Sequence, residues 1–202
     1  MPSASISVAA SLIYRPASWV DRLRLPEMFA PAQSLEVELG SGDGSFLAQW
    51  AAACPGRNFL GVERLLGRLR KLDRKARRAG LANVRLMRIE AAYFLEFLLP
   101  PRSISALHVY FPDPWPKRKH RRHRLVNERF PELASRVLMP RGVVYLRTDD
   151  ADYFAQMQEV FVADQRFCFE ETPDALASVI TDFEREFQAR GIATLRAAYQ
   201  LS

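Results

Sequence analysis

Short apolar runs alternate along the chain with stretches in which apolar residues recur every three or four positions. Runs at 34–39, 58–63, 84–89, 106–111 and 143–148 read as strands. Their nearly continuous apolar character suits a parallel sheet covered on both faces. Between the first two runs, Phe46, Leu47, Trp50, Ala51 and Cys54 fall on one stripe of a helix predicted at 45–54. Leu65, Leu69, Leu72 and Ala76 do the same for a helix at 65–79, with Gly80 as its stop. Helices are expected again at 125–138 and 151–163, followed by a strand at 167–171, a helix at 174–190 and a strand at 192–200. Repeated strand–helix units with right-handed crossovers predict an α/β fold, a doubly wound and mostly parallel sheet of seven strands.

At 202 residues the chain fits one domain. We divide it into an N-terminal arm at 1–33, expected to be partly ordered, and a single domain at 34–202. The arm lacks a basic leading segment, so it does not read as a signal peptide. No apolar run approaches the ~20 residues of a membrane span. Cys54 and Cys168 are far apart, without metal-ligand or redox spacing, and read as buried or idle thiols of a reducing cytosol. No metal site is expected.

Charge changes the picture. The net charge is +6, and among the eight residues 117–124 six are Lys or Arg and two are His. An excess this concentrated favours a polyanionic partner, and no amphipathic segment with bulky apolar anchors adjoins it to favour a membrane. Directly before the strip stand Asp113 and Trp115, set among Pro112, Pro114 and Pro116. An acid, an indole and a cationic strip at the end of a strand read as a pocket for a planar base beside a groove for phosphates. Eight further Lys or Arg between Arg64 and Arg78, against Asp73 alone, read as a solvated helix face.

The first strand runs into Glu38-Leu39-Gly40-Ser41-Gly42-Asp43-Gly44 and then a helix. Glycines at such a turn let the backbone bend sharply and a ligand approach closely. A dinucleotide fingerprint would need its third glycine at 45, where Ser45 stands. With no catalytic His or Lys at a strand end, a nicotinamide oxidoreductase is disfavoured. The pattern resembles motif I of class I S-adenosylmethionine-dependent methyltransferases, in which an acid such as Glu38 suits the cationic amino-acid end of the cofactor. Glu63 closes the second strand and is placed to accept from ribose hydroxyls, while Glu90 follows the third strand and suits an adenine amine. Asp113 follows the fourth.

Taken in order, the segments Glu38-Leu39-Gly40-Ser41-Gly42-Asp43-Gly44, Asn58-Phe59-Leu60-Gly61-Val62-Glu63, Asn83-Val84-Arg85, Phe111-Pro112-Asp113-Pro114-Trp115-Pro116-Lys117, Thr148-Asp149 and Thr181-Asp182-Phe183-Glu184 resemble the tRNA (guanine-N7-)-methyltransferase family of TrmB type. The Pro-Asp-Pro-Trp-Pro-Lys segment with its basic run is the specific part; the glycine turn is shared with many methyltransferases. The resemblance implies a Rossmann-like class I methyltransferase fold, S-adenosyl-L-methionine as cofactor, and methylation of guanine N7 at position 46 of the tRNA variable loop. It implies a cofactor shell of Glu38, Gly40, Gly42, Gly44, Glu63, Glu90 and Asp113, with Asp113 also catalytic. It implies substrate contacts at Lys117, Asp149, Thr181, Asp182, Phe183 and Glu184. Arg118, Lys119, Arg121, Arg122 and Arg124 are expected to form the RNA-binding strip. Three positions depart from the family pattern: Glu90 where Asp is usual, His123 within the basic run, and Asp182 where Lys is usual. The alternative is a catalytically weakened relative that binds tRNA as a basic adaptor. Partners are then tRNA in the cytoplasm, no membrane and no metal, with monomer or homodimer left open.

Overall fold

The structure, a computed structural model, describes residues 10–29 and 33–202. One sheet of seven strands organises it: β1 (Leu35–Leu39), β2 (Asn58–Val62), β3 (Val84–Met87), β4 (Ile104–Tyr110), β5 (Leu138–Thr148), β6 (Phe167–Glu170) and β7 (Leu195–Leu201). They lie in the order β3-β2-β1-β4-β5-β7-β6. Strands β1 to β5 pair in parallel, and β7 runs antiparallel to both β5 and β6. Chain order reverses between β1 and β4, so the loops leaving these two strands flank a crevice at their carboxyl ends.

The helices are α1 (Leu47–Ala53), α2 (Leu66–Arg78), α3 (Ala91–Tyr93), α4 (Phe130–Val137), α5 (Ala151–Val162), α6 (Asp174–Ala177) and α7 (Asp182–Ala189). On one face of the sheet Leu35, Val37, Leu39, Leu107, Val109, Val144 and Leu146 join a core with Phe130, Tyr153 and Phe161. On the other, Trp50, Leu69, Leu72 and Ala76 from α1 and α2 pack with Phe59, Val84 and Tyr110. Helix α2 buries Leu69, Leu72 and Ala76 and leaves most of its charged side chains in solvent, which is the amphipathic pattern of its sequence.

Two predicted helices differ from the structure. The one expected at 125–138 begins only at Phe130, because Pro131 fits just the first turn of a helix. Ahead of it Asn127 turns the chain, its side-chain oxygen accepting from the Arg129 N–H. The strand expected at 143–148 accordingly starts at Leu138, directly after α4. The helix expected at 174–190 is two helices. Thr181 and Glu184 form a reciprocal capping box that starts α7 anew.

Within the expected arm, residues 12–14 lie beside β3, with the Tyr14 N–H donating to the Leu86 carbonyl at 2.8 Å. Leu23, Met28 and Phe29 are buried in the core. Residues 1–9 and 30–32 of that arm lie outside the described residues. No helix among the described residues is long and apolar enough to cross a membrane.

Candidate active site

At the end of β1 the N–H groups of Gly40 and Ser41 both donate to the Val62 carbonyl, at 2.8 and 2.9 Å, so the glycine turn folds across the end of β2. Gly40 has φ +77, and the space its missing side chain leaves is open. Glu63 fixes the turn from the other side. One of its oxygens accepts from the Gly42 N–H at 3.1 Å and the other from the Leu65 N–H at 2.6 Å.

A cavity of about 350 Å³ opens over this turn. Leu39, Val62 and Ile89 give it apolar walls, Glu63 and Glu90 place carboxylates on it, and Arg64 and Arg68 flank it. Opposite stand Asp113, Trp115 and His123. A second cavity of about 260 Å³ is lined by Gly42, Asp43, Arg68, Lys71, Asp182, Phe183 and Glu186, so Arg68 borders both.

Glu38 lies buried beneath the turn with one carboxylate oxygen lacking any hydrogen-bond partner. Burial pushes its carboxyl up to about 8; Arg147 pulls it down, while Glu63 and Asp43 add to the rise. An unpaired buried acid of this kind is costly to leave alone. Glu38 lines neither cavity; with an open Gly40 and apolar walls above it, its unpaired carboxyl fits a cationic amino-acid group joined to a nucleoside.

The loop after β4 forms the opposite wall. Phe111 and Trp115 have φ +49 and +44, a left-handed conformation that is strained for bulky side chains. Tertiary contacts hold them there. The Phe111 N–H donates to the Arg147 carbonyl at 2.8 Å, and its ring packs against Phe183 and Phe187 of α7. Trp115 packs against His120 and His123, with ring centroids 5.9 and 5.3 Å away. Asp113 is exposed on the cavity wall and takes part in no ion pair among the described residues.

A model of the family described as "Putative methyltransferase" matches residues 32–197. The tRNA (guanine-N(7)-)-methyltransferase of Syntrophotalea carbinolica is 32% identical over 190 residues, covering 92% of this chain and 82% of that protein. The chain belongs to the tRNA (guanine-N(7)-)-methyltransferase family. The family's enzyme from Rubrobacter xylanophilus is 38% identical over 157 residues, covering 77% of this chain and 69% of that one. In fold the chain is similar to the 16S rRNA methyltransferase KamB, with a TM-score of 0.63 at 16% identity over 88% of this chain and 92% of that one. The sheet is therefore that of the Rossmann-like class I methyltransferases.

Of the site residues that the resemblance to this family implies, Gly40, Glu63, Glu90 and Asp113 meet in the first cavity. Glu90 also caps α3, accepting from the N–H groups of Ala92 and Tyr93 at 3.0 and 2.8 Å. Asp182 and Phe183 line the second cavity beside Gly42, and Lys117 is exposed on the loop. Asp149 lies outside both cavity linings, on the turn after β5.

Three expected contacts are corrected, and Gly44 has a packing role. Gly44 lines neither cavity, and a side chain there would overlap Leu72 of α2, so helix packing requires a glycine. Thr181 and Glu184 are buried at 3% and 0% exposure and hold α7 in place. Glu184 pairs with Arg147 at 3.0 Å and with Arg196 at 2.9 Å, so neither residue is free for a substrate. Arg124 leaves the RNA strip. It is 1% exposed, and its guanidinium donates to the Pro114 carbonyl, Gln156 Oε1 and Asp152 Oδ2, each at 2.7 Å. Arg124 fixes the 111–117 loop by its carbonyl, which is a positioning role. Arg121 shares Asp152 at 2.8 Å, whereas Arg118, Lys119 and Arg122 are exposed.

The sequence reading missed a buried polar row under α1. Glu36 accepts from Trp50 Nε1 at 2.9 Å and from Arg57 at 2.7 Å, and bonds His108 Nε2 at 2.9 Å. His108 Nδ1 meets the Tyr110 hydroxyl at 2.8 Å, and Tyr110 lines the first cavity. Burial works to raise Glu36, but the hydrogen bonds and charges of His108, Trp50 and Arg57 prevail and hold it at about 2. Burial lowers His108, against the hydrogen bond and charge of Glu36, which act to raise it. The signal was the alternation of Glu36 and Glu38 with three apolar neighbours in β1, and of His108 and Tyr110 with two in β4.

Proposed function

We propose that this protein methylates N7 of guanine in tRNA, at position 46 of the variable loop, with S-adenosyl-L-methionine as donor and in the cytoplasm. Family membership supports the reaction class. The observation that carries the assignment of the site is Asp113, an unpaired carboxylate on the same cavity wall as Trp115, facing the glycine turn with Glu63 and Glu90.

When bound, S-adenosyl-L-methionine supplies a sulfonium methyl group as electrophile. Glu38 takes the ammonium end, Gly40 and Gly42 let the backbone lie close, Glu63 accepts from ribose hydroxyls and Glu90 from the adenine amine. Each of the last two carboxylates already accepts backbone N–H groups and retains lone pairs for a ligand. Guanine N7 carries a free lone pair at neutral pH, so no strong base is required and catalysis is mostly positioning and electrostatics. Asp113 holds the amino edge of the base and compensates the positive charge that develops on the ring. Trp115 offers a stacking face, and Lys117, Arg118, Lys119 and Arg122 take phosphates. A purely adaptor role gives the unpaired Asp113 nothing to do.

Incubation with labelled S-adenosyl-L-methionine and unmodified tRNA, followed by mapping of the modified nucleotide, tests this. N7-methylguanine is expected at the variable loop. Asp113→Ala is expected to lower kcat by about 100-fold or more, while S-adenosylhomocysteine binding survives at least in part. Methylation at another atom, or full activity in Asp113→Ala, overturns the assignment.

A further inference from the structure

The face of α2 that leads away from the cavities is as basic as the 117–124 strip, and the structure shows where those charges stand. Arg64 and Arg68 border the first cavity, and Arg68 and Lys71 the second. From Arg68 the positions continue to Lys71, Lys75 and Arg78, at steps of three, four and three residues, which keeps them on one flank of the helix. The row spans about 15 Å at 1.5 Å per residue. All four are exposed, and none has a carboxylate partner among the described residues.

Asp73, the single acid of the helix, is withdrawn from this flank. It is buried, accepts from Ser11 Oγ at 3.2 Å and the Leu12 N–H at 2.8 Å, and pairs with Arg77. The apolar residues Leu69, Leu72 and Ala76 face the core, so the row has no lipid anchor. It also carries no aromatic side chain on which a base could stack, which leaves phosphates as its partners.

We propose that the row from Arg68 to Arg78 on α2 is a second tRNA backbone contact, on the opposite side of the site from the loop at 118–122. This rests on the tRNA reading above and extends it. The target nucleotide then sits between two cationic surfaces, with Arg64 and Arg68 at one wall and the Asp113 loop at the other. The two surfaces hold the strand on either side of the extruded guanine, and they do so without reading sequence.

Lys75→Gln with Arg78→Gln tests the row beyond the cavities, and Arg70→Gln with Arg102→Gln, both exposed and off the row, is the control of equal charge. The measurement is the dissociation constant for unmodified tRNA across a salt series, together with KM and kcat. Losing two phosphate contacts is expected to flatten the slope of log Kd against log salt by about 1.5, and to raise KM about tenfold with kcat unchanged. The control is expected to leave slope and KM as in the unaltered protein. An unchanged slope in the first variant, or an equal change in the control, overturns the proposal. Because the slope needs no turnover, a protein that bound tRNA through this row yet failed to methylate it would overturn the function alone.

Discussion

Glu38 is the residue whose chemistry most constrains the site. In the free protein its carboxyl is held up to about 8 by burial, so near pH 7 it keeps its proton. An ammonium group brought to it favours the charged form and pulls that value down. Binding of S-adenosylhomocysteine near pH 7 is therefore expected to release about one proton, read by calorimetry in buffers of different ionisation enthalpy. Glu38→Gln should bind more weakly and release none. Absence of proton release in the unaltered protein would show that the amino group sits elsewhere. Asp113 is the complementary case, an acid left in solvent with no ion-pair partner among the described residues, and its residue type and loop were legible from the three prolines around it. The sequence did not reveal that Thr181 and Glu184 are spent on a capping box, although a Thr and a Glu three residues apart carry that signature.

At the scale of elements, the loop after β4 is a rigid piece held by three others. Arg147 of β5 pairs its backbone, α7 packs its phenylalanine, and Arg124 holds its Pro114 carbonyl. Arg124 is thus a cation of the interior, stacked 4.6 Å from the Tyr153 ring centroid, while its neighbours in sequence face solvent. Arg124→Gln is expected to lower Tm by about 5 °C, since its bonds to Pro114 and Gln156 are lost and each buried bond counts for about 1 kcal/mol. Lys119→Gln with Arg122→Gln should leave Tm unchanged and weaken tRNA binding in a salt-dependent way. A reversal of these two patterns, read by thermal melts and salt titrations, would return Arg124 to the strip. A run of like charges in sequence does not say which member turns inward; that depends on an acceptor, here 28 residues further on at Asp152.

For the whole molecule, a polar row runs beneath α1 from the exposed Arg57 to the buried Glu36, His108 and Tyr110. The Arg147 guanidinium stacks 4.4 Å from the Tyr110 ring centroid and pairs with Glu184. Glu36 sits below its ordinary value, at about 2, so the stability it contributes is present in full above about pH 4.5 and is lost as pH falls toward 2. That contribution amounts to about 3 kcal/mol. Glu36→Gln should be less stable at neutral pH and show a flatter decline between pH 5 and 2 in denaturant titrations. A decline as steep as that of the unaltered protein would place the acid sensitivity in another group.

Periodicity and turn chemistry determined the order of strands and helices, the glycine bend and the acid-aromatic loop, because each is a local consequence of which residues follow one another. Side-chain partners are another matter. Whether Arg124 meets phosphate or Asp152, whether Gly44 has room for a side chain, and whether Glu38 is solvated or stranded are set by segments distant in the chain. Only the folded sheet, by bringing those segments within bonding distance, decided them.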